Sequence, residues 1–249
     1  MIIDKPANAE PLRQLWKEAF GDTDAFLDSF FSFGFSPERC RQITLDGKVV
    51  SALYWFDCSF EDKKVAYLYA VATNKAYQGQ GLCRILMEDT HRHLQSLGYD
   101  GVLLVPGNEG LFKLYHKLGY RTCSSVKEFT CKAAGTVPIR FIAAEEYLSI
   151  RQKYLPVGSI APGDNMLRFL TEQYFCYAGD NFALCATASG STLIATEFLG
   201  DVSAASGIVS VMGKKEGRFR TIGTEKPFGM YYPLTYHFEK PTYFPFAFD

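Results

Sequence analysis

The chain has almost no net charge. Across 249 residues it carries 26 basic and 27 acidic side chains, a formal balance of −1. The balance is local as well: residues 1–132 hold sixteen of each sign, and residues 133–249 hold ten basic and eleven acidic. Neither half has the basic excess of a nucleic-acid binder, so no nucleic-acid partner is expected. Long apolar runs are missing too. No stretch approaches the roughly 20 apolar residues of a membrane span, and Met1-Ile2-Ile3-Asp4-Lys5-Pro6 lacks the apolar core of a signal peptide. A soluble, cytoplasmic protein with no membrane partner is therefore expected. Paired cysteine spacing is absent as well. The seven cysteines are odd in number and no two stand as C-x-x-C, which argues against a zinc cluster or a disulfide framework. Free, buried thiols and no bound metal are the expectation.

What is present is apolar bulk. Hydrophobic residues make up 47% of the chain, enough for a sizeable core in one large domain or two small ones. Asn8 is placed to cap a helix over 9–20, with Leu12, Leu15, Trp16 and Ala19 on one face. Thr23 or Asp24 caps a second helix through Phe31, ending near Gly34. Gln42–Leu45, the Asp46-Gly47 turn and Lys48–Phe60 read as a hairpin. Lys64–Thr73 adds a third antiparallel strand. A helix after Gly79 runs to Ser96, with Leu82, Ile85, Leu86, Asp89, His93 and Leu97 near one face. A strand at Val102–Val105 and a short helix opened by Asn108 come next, and strands at 120–122 and 127–131 complete the first unit.

The stretch Lys132–Pro138 is small and nearly uncharged, and marks a boundary between units 1–132 and 138–249. The second unit reads as a strand at 139–142, helices over 144–154 and 165–175, a hairpin of 182–187 and 192–199, and a helix from Asp201 to Met212. An aromatic, short-stranded remainder ends at Asp249. Strand, two helices and hairpin occur in both halves, which suggests a duplicated architecture. The fold class is α/β, with mixed α+β sheets.

The segment with chemistry in it is Tyr67–Tyr120. An apolar strand, the turn Gln78-Gly79-Gln80-Gly81 and a helix build an anion cradle. Glycines allow positive φ and close approach, and the first N–H groups of the helix have no partner within it. A G-x-G by itself also makes an ordinary turn. The dinucleotide pattern G-x-G-x-x-G fails at Arg84, and G-x-x-x-x-G-K-[ST] is absent. Further along, Asn108 opens a short helix that ends in Leu114-Tyr115-His116-Lys117-Leu118-Gly119-Tyr120.

These two stretches, separated by the strand-like Val102–Val105, resemble the GCN5-related N-acetyltransferase (GNAT) superfamily. The cofactor motif Q/R-x-x-G-x-G/A is met by Gln78 to Cys83, with Cys83 in place of the last Gly or Ala. The second signature, N-x-x-A-x-x-L-Y-x-K-L-G-F/Y, is met by Asn108 to Tyr120, with Leu111 in place of Ala. The non-glycine at position 83 and a second, degenerate GNAT-like domain are similar to the enhanced-intracellular-survival subgroup. Those proteins usually add a third domain, for which this chain has no room.

The resemblance implies acetyl-CoA as co-substrate and a small-molecule or protein amine as acceptor, with homo-oligomers a possibility. It implies that Val71, Ala72 and Thr73 line the pantetheine arm and that Gly79, Gln80, Gly81, Leu82 and Cys83 hold the pyrophosphate. Gln78 would brace the turn, Asn108 would fix the arm from the other side, and Tyr115 would protonate the departing thiolate. The base is not legible: Asp57 and Glu61 read as surface charges, and His91, His93 and His116 as structural or surface residues. In the look-alike subgroup the chain-terminal carboxylate enters the active site, and here that group belongs to Asp249. Phe33 and Phe35 are the better candidates for an acceptor pocket, and Phe26 and Phe30 for core. The aromatics of Tyr231–Phe248 would close the other side or fill a sheet core. Two other functions stay open: a non-catalytic acyl-CoA-binding protein, and a transferase using another acyl or aminoacyl donor.

Overall fold

Residues 1–244 are described by the computed structural model. After the edge strand Ile2–Asp4 (β1), helix Glu10–Phe20 (α1) buries Leu12, Leu15 and Trp16, while Ala19 faces solvent. The helix starts one residue later than expected, with Ala9 rather than Asn8 at its N-cap, and Asn8 just before it accepts from the N–H of Glu10 at 3.2 Å. Thr23 caps Asp24–Ser29 (α2) by accepting from Phe26 N at 3.2 Å. The helix then widens into a π turn over Phe30–Gly34, closed by Phe35 N to Phe30 O at 2.8 Å. Cys40–Leu45 (β2), Lys48–Phe60 (β3) and Lys63–Thr73 (β4) form the expected meander. Asp46 and Gly47 sit at φ 48° and 76°, as a twist-matched two-residue hairpin requires.

Leu82–Ser96 (α3) and Glu109–Lys117 (α4) flank Gly101–Leu104 (β5) in sequence, and Arg121–Thr122 (β6) comes after them. The buried side of α3 is Leu82, Leu86, Met87, Thr90, His91 and Leu94. It is therefore rotated from the face expected of the sequence pattern: Asp89 bonds Arg41 at the sheet edge, and Leu97 is exposed. The histidine that goes inside is His91, because Tyr120 gives its ring nitrogen a partner.

Ser125–Lys132 (β7) departs from expectation. It is not a final strand of the first sheet. It pairs in the second, antiparallel to a strand ninety residues later, along Glu216↔Lys132 to Ile222↔Val126. The second sheet is built from Arg140–Ile142 (β8), Phe175–Ala178 (β10), Phe182–Ser189 (β11), Thr192–Gly200 (β12), Glu216–Ile222 (β13) and Lys226–Pro227 (β14) with β7. Ala161–Pro162 (β9) instead pairs with β3. Ala144–Arg151 (α5) and Asp164–Gln173 (α6) cover one face, and Ala205–Val211 (α7) the other. The sequence pattern extends the helix of α6 to residue 175, whereas 175–178 is a strand. Its four residues are apolar throughout and continue the apolar pattern of α6, so the strand is set by pairing with β11 and β8.

The exchange is reciprocal. Met230–Pro233 (β15) leaves the second half and enters the first sheet between β5 and β6, giving the order β1-β2-β3-β4-β5-β15-β6. The cores merge as well: Phe169 of α6 stacks on Phe56 of β3 and sits 5.4 Å from Phe30. Among the described residues no helix is long and apolar enough to cross a membrane.

Burial of His91 makes stability depend on pH. Desolvation lowers its pKa from 6.5 to about 4. The unfolded chain thus takes up a proton between pH 6.5 and 4 that the folded chain refuses, and stability falls as pH drops through that window. The full difference is roughly 3 kcal/mol at 1.36 kcal/mol per unit. Urea titrations at pH 7 and pH 4.5 will show a larger acid loss for the wild type than for His91→Leu. Equal losses would contradict a buried neutral imidazole.

Candidate active site

The site begins where two neighbouring strands stop pairing. β4 and β5 run parallel and bond only along Val65↔Gly101 to Tyr67↔Leu103. Beyond Tyr67, β4 continues to Thr73 without further strand pairing to β5 among the described residues, while β5 ends at Leu104. On its other side β4 carries a bulge. Ala52 pairs with Ala72 but Tyr54 with Tyr69, so Ala70 and Val71 together oppose Leu53. Ala70 takes φ 48°, a left-handed conformation that costs a non-glycine residue about 1–3 kcal/mol. A bulge leaves its extra residue out of the ladder with β3, and both Ala70 and Val71 border the gap.

A cavity of about 1060 Å³ fills this gap. It passes through the sheet, because its walls come from both faces. Leu68, Val71 and Tyr115 belong to the core packed under α3 and α4. Trp16, Tyr67 and Tyr69 belong to the core under α1 and α2. Three predicted residues meet at this cavity: Val71, Asn108 and Tyr115. Asn108 is also the N-cap of α4, its Oδ1 accepting from Leu111 N at 3.0 Å, which aims the first turn of α4 at the gap. Tyr115 is 6% exposed, and burial together with nearby Cys83 raises its pKa, so the phenol is protonated at neutral pH.

The remaining predicted residues stand beside the cavity rather than in its wall. Ala72 is buried toward α1, and Thr73 shares a 2.9 Å hydrogen bond with Ser51. Gln78 Nε2 donates to Thr73 O at 3.0 Å and so ties the glycine turn to the end of β4. Gly79 and Gly81 have φ 77° and 80°, and an added Cβ at either meets nothing within 4 Å. These glycines are needed for conformation, and the space above them is open. Gly81 is the N-cap of α3 with no side chain to satisfy the first-turn N–H groups, which leaves a row of donors at the open end of the splay. Gln80 is exposed, Leu82 is core, and Cys83 is a partly buried thiol whose pKa burial raises.

The structure adds a carboxylate that the sequence did not single out. Asp22 lines the cavity on the α1 side and accepts from Trp16 Nε1 at 2.7 Å. Trp16 is ringed by Phe20 at 5.7 Å and Tyr69 at 5.6 Å. The available signal was position: Asp22 directly follows Gly21, the left-handed cap that turns the chain out of α1. The second half contributes Arg220, Lys226 and Phe228 to the far wall, with both cations paired to Glu128 at 3.3 and 2.7 Å.

Other expectations change. Phe33 is 45% exposed and Phe35 packs on Phe31 and Tyr54, and neither lines the cavity. Phe26 and Phe30 pack in the core as expected. Asp57 is partly exposed but has partners. It accepts from the Tyr99 hydroxyl, pairs with Arg39 at 3.5 Å, and its carbonyl accepts from Gly163 N at 2.8 Å. It joins the two halves and lies outside the cavity wall. Of the C-terminal aromatics, Tyr231, Phe238, Tyr243 and Phe244 are core and Tyr236 is exposed. Phe246, Phe248 and Asp249 lie outside the described residues.

A sheet parted between two parallel strands, with a bulge on one lip and a helix N-terminus at its open end, defines a GNAT-type acyltransferase fold. Residues 5–123 match the family model described as acetyltransferase (GNAT) domain. Residues 5–123 thus form a GNAT-type acetyltransferase domain. Similar solved structures agree on the fold over nearly the whole chain. A GCN5-related N-acetyltransferase from Kribbella flavida aligns at TM-score 0.68 and 15% identity, over 94% of this chain and 72% of its own. Eis1 from Mycobacterium abscessus aligns at 0.64 and 11%, over 94% and 74%. A putative acetyltransferase from Pyrococcus horikoshii aligns at 0.63 and 14%, over 97% and 92%. No curated protein matches the sequence.

Proposed function

We propose that the protein transfers the acetyl group of acetyl-CoA to a primary amine by direct attack. The observation that carries this is the cavity through the sheet: it joins Tyr115 on one face to the Trp16–Asp22 pair on the other. Donor and acceptor can thus enter from opposite sides and meet at the bulge. Acetyl-CoA supplies the thioester. The open glycine turn and the free N–H groups of α3 suit its pyrophosphate, and the unpaired edge of β4 at Val71–Thr73 suits the amides of its pantetheine arm. Asn108 bounds that arm from the side of α4.

The bulged backbone at Ala70–Val71 then stabilises the negative charge that develops on the thioester oxygen, a preorganised effect that is strong in a water-poor site. As the C–N bond forms and the C–S bond breaks, Tyr115 gives its phenolic proton to the leaving sulfur. Asp22 attracts the incoming ammonium and receives its proton directly or through water.

The test is binding of acetyl-CoA followed by CoA release over an amine panel. Acetyl-CoA binding with turnover of at least one amine supports the proposal. Binding without turnover of any amine favours a non-catalytic acyl-CoA binder, and preference for a longer acyl chain overturns the acetyl assignment. Asp22→Asn is expected to raise KM for the amine about tenfold, the worth of one charge-assisted contact, and to leave KM for acetyl-CoA unchanged. An unchanged amine KM removes Asp22 from the acceptor side.

A further inference from the structure

Tyr115 is poorly anchored for a group that must meet one sulfur atom. Among the described residues no hydrogen bond holds its hydroxyl, so its position depends on what its ring packs against. One such neighbour is Tyr120, edge-on at 5.7 Å and 62°. Tyr120 is itself 1% exposed, and its hydroxyl is 2.7 Å from His91 Nε2. His91 in turn lies flat on Tyr232, ring centroids 4.3 Å apart at 25°, and Tyr232 also touches Tyr120 at 5.4 Å. Tyr232 belongs to β15, the strand returned from the second half, where it pairs with Val102.

This is an expensive way to fill a core. A buried imidazole and phenol lose water on both sides and recover one hydrogen bond, whereas two apolar side chains of similar size avoid that loss. What the polar pair provides is a single orientation, since its hydrogen bond fixes both rings where apolar packing tolerates rotation.

We propose that Tyr120 and His91 are positioning residues for Tyr115, and that Tyr232 extends this support to the second half of the chain. Neither Tyr120 nor His91 lines the cavity, so both act through the Tyr115 ring. Tyr232 makes the second half part of the donor-side machinery, in addition to its share of the cavity wall. The proposal rests on the reading of Tyr115 as the acid.

The experiment is a double-mutant cycle on kcat, read with the best amine found and saturating acetyl-CoA. Tyr120→Phe keeps the ring and removes the hydrogen bond. It is expected to lower kcat about tenfold, the scale of a small misplacement of a reacting group, with KM for acetyl-CoA within about twofold. His91→Gln retains a polar partner for Tyr120 and should recover most of the activity lost in His91→Leu. In the Tyr115→Phe background, Tyr120→Phe should cost less than about twofold, because the group it positions is gone. An equal tenfold loss in both backgrounds shows a general structural role and overturns the proposal. So does an unchanged kcat in Tyr120→Phe. If Tyr120→Phe does not fold, as judged by thermal melting, Tyr232→Leu takes its place in the same cycle. If Tyr115→Phe itself leaves kcat unchanged, the reading of Tyr115 as acid fails, a result distinct from failed coupling.

Discussion

Tyr115→Phe will lower kcat by about 10²-fold or more while leaving acetyl-CoA affinity near the wild-type value. General acid catalysis contributes about 10²–10⁴, and the substitution removes one oxygen from a ring whose packing stays intact. Burial raises the phenol's pKa, so on the proposed mechanism the proton stays in place until the sulfur accepts it. The same burial makes the proton hard to give up, so the transfer must be concerted with C–S cleavage, when basic charge appears on the sulfur. The measurement is steady-state CoA release with a titration of acetyl-CoA binding. Loss of binding equal to the loss of rate would make Tyr115 a packing residue. Full activity in the variant would place the acid elsewhere.

A fragment of residues 1–132 will not fold, although it contains the whole family match and every predicted site residue. The first sheet needs β15, which bonds β5 along Met230↔Leu104 to Pro233↔Gly101 and also bonds β6. Without it, β5 has a bare edge and β6 has no partner in the sheet. Met230 is 0%, Tyr231 7% and Phe238 6% exposed in the full chain. Losing these three buried side chains alone costs about 5–9 kcal/mol at 1.5–3 kcal/mol each. That is comparable to the roughly 5–15 kcal/mol that holds a whole domain together. Phe169, stacked on Phe56 and packed against Phe30, is lost as well. Circular dichroism and urea unfolding of the fragment should show no cooperative transition. A cooperative transition with acetyl-CoA binding would show the exchanged strand to be dispensable.

The local elements were legible in the sequence because local rules produce them. Asp46-Gly47 makes its hairpin by positive φ, Thr23 caps its helix, and Gly79 and Gly81 turn the chain into α3. The spacing of Asn108 and Tyr115 likewise places a cap and a phenol on one short helix, both at the cavity. Ser125–Lys132 shows where such reading stops. Its residues specify a strand, but nothing within them says which sheet receives it. Met230–Pro233 is four residues long and gives no hint that it closes the sheet of the other half.

The face of α3 makes the same point at smaller scale. A helical wheel ranks His93 and Asp89 with the core side, yet His91 is the one buried, because Tyr120 and Tyr232 arrive to bond and stack with it. From the sequence, Asp57 is weighed as a surface charge and Asp22 is passed over. The indole of Trp16 holds Asp22 at the cavity, and Tyr99 and Arg39 draw Asp57 into the joint between halves.

The sequence by itself determined the GNAT-type pattern of residues 5–123, the strand, turn and helix from Tyr67 to Ser96, and the place of Tyr115 on its short helix, since each is set by neighbours within a few residues. Only the tertiary structure decided the splay that opens the cavity, the carboxylate held at its wall by Trp16 and the exchange of strands between the halves. Those depend on pairings and packings between residues far apart in the chain, which local propensity and spacing do not encode.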